Sequence, residues 1–172
     1  MNDMTLPPVP AADDLGVAAA PPTARVADGE AVRLSFTQEP LWVLQRLGER
    51  MTAYNLPRVM RLRGPVRAEA LQRAFEAVIA RHAILRTRFL ERDGLPMAVA
   101  EPQVAFTLGQ TDVSALAPQA REEAIAREVQ ATLHHVFDLA VAPAMVARLL
   151  KRGEDDHVLV LCLHHIVSDA WS

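Results

Sequence analysis

The sequence predicts an α+β (mixed α/β) fold, with strands and helices layered around one core. Three observations carry that expectation. Residues 67–82 and 118–137 place apolar side chains at helical spacing. Two pairs of apolar runs are joined by short polar turns, Asp93-Gly94 and Gly153 to Asp156. The run Val158 to Leu163 is apolar on both faces, as a strand in the middle of a sheet must be.

The elements follow in order. Residues 1–31 are rich in proline and alanine, with prolines at 7, 8, 10, 21 and 22, and read as a disordered leader or linker. A helix follows from a Ser35 or Thr37 cap, with Pro40 in its first turn. It carries Leu41, Leu44 and Leu47 as its apolar face and ends near Arg50. "LPRVMRLRG" is a strand stopped by Gly64-Pro65. The helix over 67–82 has an apolar face of Leu71, Ala74, Phe75, Val78, Ile79 and His82. "ILRTRFLERDGLPMAVA" folds as two strands, and Phe106 with Leu108 suggests another short one. Pro118 opens the second long helix, with Ala120, Ala124, Ile125, Val129, Leu133 and Val136 as its stripe. The last hairpin ends at His164 and His165.

Composition narrows the function. With 172 residues the chain is long enough for one domain with a real core. Its 18 basic and 21 acidic residues leave a net charge of -3, no footprint for nucleic acid or an anionic membrane. Aromatics, at 5%, are too few for a base-stacking surface. The lone cysteine, Cys162, sits in an apolar run and reads as a small buried hydrophobe, not a nucleophile. Without a disulfide framework, a transmembrane-length run or a signal-peptide pattern, the expected location is cytoplasmic.

The chemistry concentrates at "LCLHHIVSDAWS", residues 161–172. Adjacent residues on a strand point to opposite faces, so one of His164 and His165 faces the core and the other can face a cleft. Asp169 lies four residues on, where it can brace the loop. Spacing alone reads equally as a structural group or a catalytic one. A metal site is not supported, because the helical i, i+4 ligand spacing is missing and no other ligand cluster stands out. A similar string, His134-His135 with Asp138, falls at a helix end, where capping and cationic roles are common, and reads as structural.

"HHIVSDAWS" resembles the HHxxxDG motif of condensation domains of non-ribosomal peptide synthetases. "SFTQEPLWVL" at 35–44 resembles that family's SxAQxRLWxL motif, and "RHAILRTRF" at 81–89 its RHExLRTxF motif. "AYNLP" at 53–57 and "FDLAVAPAMVARLLKRGEDDHVLVL" at 137–161 are similar to further family segments. The resemblance covers residues 32–172, the N-terminal lobe of a domain whose fold is similar to chloramphenicol acetyltransferase. It implies a two-layer sandwich lobe, N-terminal half only, truncated in the motif loop and inactive by itself. It also implies amide formation between a carrier-bound acyl or peptidyl thioester and a carrier-bound amine. By residue, His165 and His164 become the catalytic pair: His165 orients or deprotonates the amine, or stabilises the tetrahedral intermediate, with His164 in support. An imidazole suits these roles because its ordinary pKa lies near cellular pH. Asp169 and Arg81 become the structural support of the site, paired carboxylate to guanidinium, with Arg81 expected to matter more than Arg86.

No cofactor is implied for this lobe; phosphopantetheine would be carried by partner carrier proteins. The expected partners are those carrier domains and the missing C-terminal lobe, with self-association through the uncovered face. The departures are Ala170 for the motif glycine, Pro40 for an arginine, Ala83 for a glutamate, and Val136 where proline is common. A non-catalytic carrier- or partner-binding lobe, an ester-forming acyltransferase and an epimerisation domain stay open.

Overall fold

In the computed structural model, which describes residues 27–48 and 51–168, the elements run β1 (Ala31–Arg33), α1 (Gln38–Leu47), β2 (Asn55–Arg63) and α2 (Ala68–Arg81). They continue with β3 (Thr87–Arg92), β4 (Leu95–Ala100), β5 (Gly109–Asp112), α3 (Pro118–Leu133), β6 (Met145–Gly153) and β7 (Asp156–His164). The expected leader up to residue 26, together with Arg50, Asp169 and Ala170, lies outside the described residues.

The strands form two sheets, β1-β4-β3 and β2-β7-β6-β5. In the larger sheet β7 is antiparallel to both neighbours, and β5 joins β6 in parallel. Alternation along the strands gives that sheet two apolar faces. Leu149 and Leu159 pack with Leu71 and Phe75 of α2, while Leu150, Val158 and Val160 pack with Ala124 and Ile125 of α3. A third cluster joins Trp42 of α1, Phe89 and Ala98 of the smaller sheet, Phe137, and Cys162 near the end of β7. β2 is an edge strand, which is why Pro57 is tolerated within it.

Most expected elements are present, and the turns explain the hairpins. Asp93 and Gly94 both have positive φ, 52° and 73°, the backbone that a two-residue β3–β4 turn requires. "SFTQ" closes a reciprocal cap: Gln38 N donates to Ser35 Oγ at 3.3 Å, and Ser35 N donates to Gln38 Oε1 at 3.1 Å.

Four expectations are corrected. Of Leu41, Leu44 and Leu47 only Leu41 packs against the core; Leu44 and Leu47 are exposed, the latter at 78%, and Trp42 is the buried residue. At about 100° per residue, steps of three drift around the helix, whereas Gln38, Trp42 and Gln45 stay in register. Ile84 to Arg86 form a 3-10 turn ahead of β3, not strand. Phe106 and Leu108 do not form a strand, because the Gln72 side chain takes their backbone groups: Nε2 donates to Phe106 O at 2.8 Å and Oε1 accepts from Leu108 N at 2.7 Å. α3 stops at Leu133, so Val136 lies beyond it, and Ala120 is exposed.

Candidate active site at the end of the central strand

β7 enters the core apolar and leaves it at His164. There the backbone is pinned from both sides: His164 N donates to Ala144 O at 3.0 Å, and His165 N donates to Tyr54 O at 2.8 Å. A turn follows at once, closed by Val167 N donating to His164 O at 3.1 Å. The strand's alternation does the rest. His164 turns inward, 1% exposed, and His165 is exposed.

His164 fills a polar niche inside an apolar core. Ile166 N donates to its Nδ1 at 3.1 Å, and its Nε2 lies 3.4 Å from Gln45 Oε1. The Phe137 ring meets it edge-on at 6.0 Å. Burial, followed by the neighbouring His165, pushes its pKa down from 6.5 to about 4.

His165 lines an open groove of about 620 Å³ with Ser35, Thr37, Gln38, Leu41 and Tyr54. Its described walls carry no carboxylate, lysine or arginine. A smaller groove of about 400 Å³ on another side of α1 holds Trp42, Arg46 and Glu91 but no imidazole. The chemistry therefore favours the groove at His165.

Sequence reasoning missed three residues that build this site. Gln45 reaches His164, and its Nε2 also donates to Phe137 O at 3.2 Å and Met51 O at 3.5 Å. Gln38 Nε2 donates to Ile166 O at 3.1 Å. Asn55, opposite His164 in the β2–β7 register, donates to Leu133 O and His135 O at 2.7 and 2.9 Å, tying the end of α3 to the site. The spacing 38, 42, 45 was the available signal, hidden because two members are polar.

The supporting pair is placed only by half. Asp169 lies outside the described residues, and Arg81 is exposed at the end of α2. Arg86, expected to matter less than Arg81, is the buried arginine at 9% exposure. It donates to Glu101 O and lies 3.3 Å from Asp28. It is committed to holding the 3-10 turn against the end of β4.

Cys162 is fully buried, and burial pushes its thiol up to about 11, so it is a packing group. Among the described residues no three potential metal ligands cluster, and no helix is long and apolar enough to cross a membrane.

A family profile described as "Condensation domain" matches residues 29–172. A linear gramicidin synthase of Brevibacillus parabrevis is 36% identical over 153 residues, 89% of this chain and 3% of that protein. Cyclosporin synthetase of Tolypocladium inflatum is 40% identical over 141 residues, 82% of this chain and 1% of that protein. Among solved structures, the starter condensation domain of rhizomide synthetase superposes with a TM-score of 0.72 at 25% identity, covering 83% of this chain and 35% of that one. A structure described as the basis for condensation domain-mediated chain release from the enacyloxin polyketide synthase superposes at 0.68 and 25% identity, covering 88% and 30%. The chain thus spans a small share of the synthetases it matches and about a third of the solved domains. Sequence and fold agree across nearly all of the described residues, and the chain belongs to the condensation-domain family.

Proposed function

We propose that these residues form the N-terminal lobe of a domain that joins a carrier-bound acyl or peptidyl thioester to a carrier-bound amine, with His165 as the working imidazole. One observation carries the reading. His165 is exposed in a groove, yet its backbone is locked between β2 and the turn after β7. An imidazole so held can orient the amine, accept its proton, or hydrogen-bond the tetrahedral intermediate. His164, buried and bonded on both nitrogens, supports that position. Asp169 and Arg81 are proposed to brace the same turn by a bidentate ion pair.

The phosphopantetheine arms belong to the carrier partners and supply the acyl group as a thioester. A groove whose described walls are hydroxyl, amide, imidazole and apolar groups fits a neutral thioester. Phe36 and Leu47, 93% and 78% exposed at the two ends of α1, mark apolar surface that a second lobe would cover. On that reading these 172 residues alone are inactive and self-associate. The location proposed for such a domain is the cytoplasm.

The test is amide formation from carrier-bound substrates by a complete condensation domain carrying this lobe, against its His165→Ala variant. Product from the parent and a loss of about 10²-fold or more in the variant are expected. Undiminished amide formation by the variant would leave a binding lobe as the better reading. Exclusive transfer to a hydroxyl acceptor would identify an ester-forming relative, and inversion at the α-carbon without transfer an epimerisation domain.

A further inference from the structure

The groups around His164 determine where its proton sits. The Gln45 amide has its Nε2 against two carbonyls, Phe137 O and Met51 O, so its Oε1 is the atom that faces His164 Nε2. A carbonyl-type oxygen can only accept, so Nε2 of the imidazole must carry the hydrogen. On the other side of the ring, Nδ1 faces the Ile166 N–H, a group that can only donate, so Nδ1 must be bare. The two constraints are independent and give the same answer. Gln38 is fixed by the same logic: Oε1 takes Ser35 N–H, which leaves Nε2 for Ile166 O. Ile166 is thus held at both backbone groups, its N–H through His164 and its carbonyl through Gln38, one residue beyond His165.

We infer that Gln45 is a positioning residue of the candidate active site: it holds His164 as the neutral Nε2–H tautomer, and so fixes the turn that presents His165. This rests on the proposed role of His165 only for its functional meaning; the tautomer stands on geometry alone. It also bars His164 from donating a proton to substrate through Nδ1. Gln45 and Gln38, seven residues apart on α1, grip the turn, with Trp42 between them as the apolar anchor. Helix α1 is therefore the part of the lobe that sets the position of the imidazole.

The experiment is imidazole ¹⁵N spectroscopy and amide exchange on this chain, with Gln45→Met, which keeps length and loses the amide's acceptor and donor alike, and Gln45→Glu, which restores the acceptor. In the parent, His164 is expected to show protonated Nε2 and bare Nδ1 at neutral pH. Gln45→Met is expected to speed Ile166 amide exchange about tenfold, the loss of one hydrogen bond's worth of protection, and to shift the His165 ring signals. Gln45→Glu is expected to recover the Nε2–H signal. Unchanged exchange at Val160 shows that the sheet remains folded in each variant. A His164 protonated at Nδ1, or an Ile166 and His165 indifferent to Gln45→Met, would overturn the inference. Neither result depends on catalysis, so failure here leaves the amide-forming reading intact, and failure of that reading leaves the tautomer assignment intact.

Discussion

His164-His165 and His134-His135 are the same dipeptide at the ends of two different elements. The first pair ends a strand, where alternation sends one ring into the core and the other into a groove. The second pair follows a helix. His134 is exposed and donates from Nδ1 to Gln130 O at 2.9 Å, as a side chain closing a helix end does. His135 is half-buried, its ring edge-on to Phe137 at 4.7 Å, and burial lowers its pKa. The two pairs are close in space, since Phe137 touches both His135 and His164, and Asn55 bonds His135 O from its place opposite His164. Proximity and composition do not separate them. The element that carries each pair does, because it decides whether a ring is both firmly held and open to a substrate.

The largest expected break in this comparison is catalytic. In a complete domain carrying this lobe, His165→Ala should cut amide formation by about 10²-fold or more with little change in thermal midpoint, while His135→Ala leaves the rate within about twofold. Equal losses would erase the distinction.

Next is the stability of the inward ring. His164→Ala removes a packed, doubly bonded side chain and should cost about 3 kcal/mol in urea unfolding. The same residue sets a pH dependence. Its folded pKa, about 4, lies below the ordinary 6.5, so the unfolded chain binds the proton first as pH falls. Its contribution is complete above pH 6.5 and is lost progressively towards pH 4. That loss is on the order of 3 kcal/mol, and a His164→Phe variant should flatten that part of the profile.

Arg86→Ala should cost about 1–3 kcal/mol, because it removes a buried side chain and strips the partly buried Glu101 carbonyl of its charged donor. Arg81→Ala, at an exposed helix end, separates the two arginines. If it proves the more destabilising of the two, the proposed pair with Asp169 gains direct support. The smallest effect belongs to His134→Ala, within about 0.5 kcal/mol by denaturant titration.

Much of this was legible in the residues. The Asp93-Gly94 turn announces its hairpin because few residues accept the positive φ that a tight turn needs, and the polar Gly153–Asp156 stretch announces the other by separating two apolar runs. The central strand is visible as a run with no polar face, and alternation requires that one of His164 and His165 face inward and the other outward. Other features depend on partners distant in sequence. Nothing local says that Gln72 will occupy the backbone of Phe106 and Leu108 and prevent a strand there. Leu41, Leu44 and Leu47 look like the buried face of α1, and only packing against Phe89 and Phe137 shows that Trp42, flanked by two glutamines, is the anchor. The sequence by itself determined the kinds of element, their order and the histidine pair at the strand's end, because these arise from periodicity and turn chemistry. Tertiary structure alone decided which ring is buried, which nitrogen carries its proton and which helix grips the turn, because each depends on donors and acceptors that meet only when the chain folds.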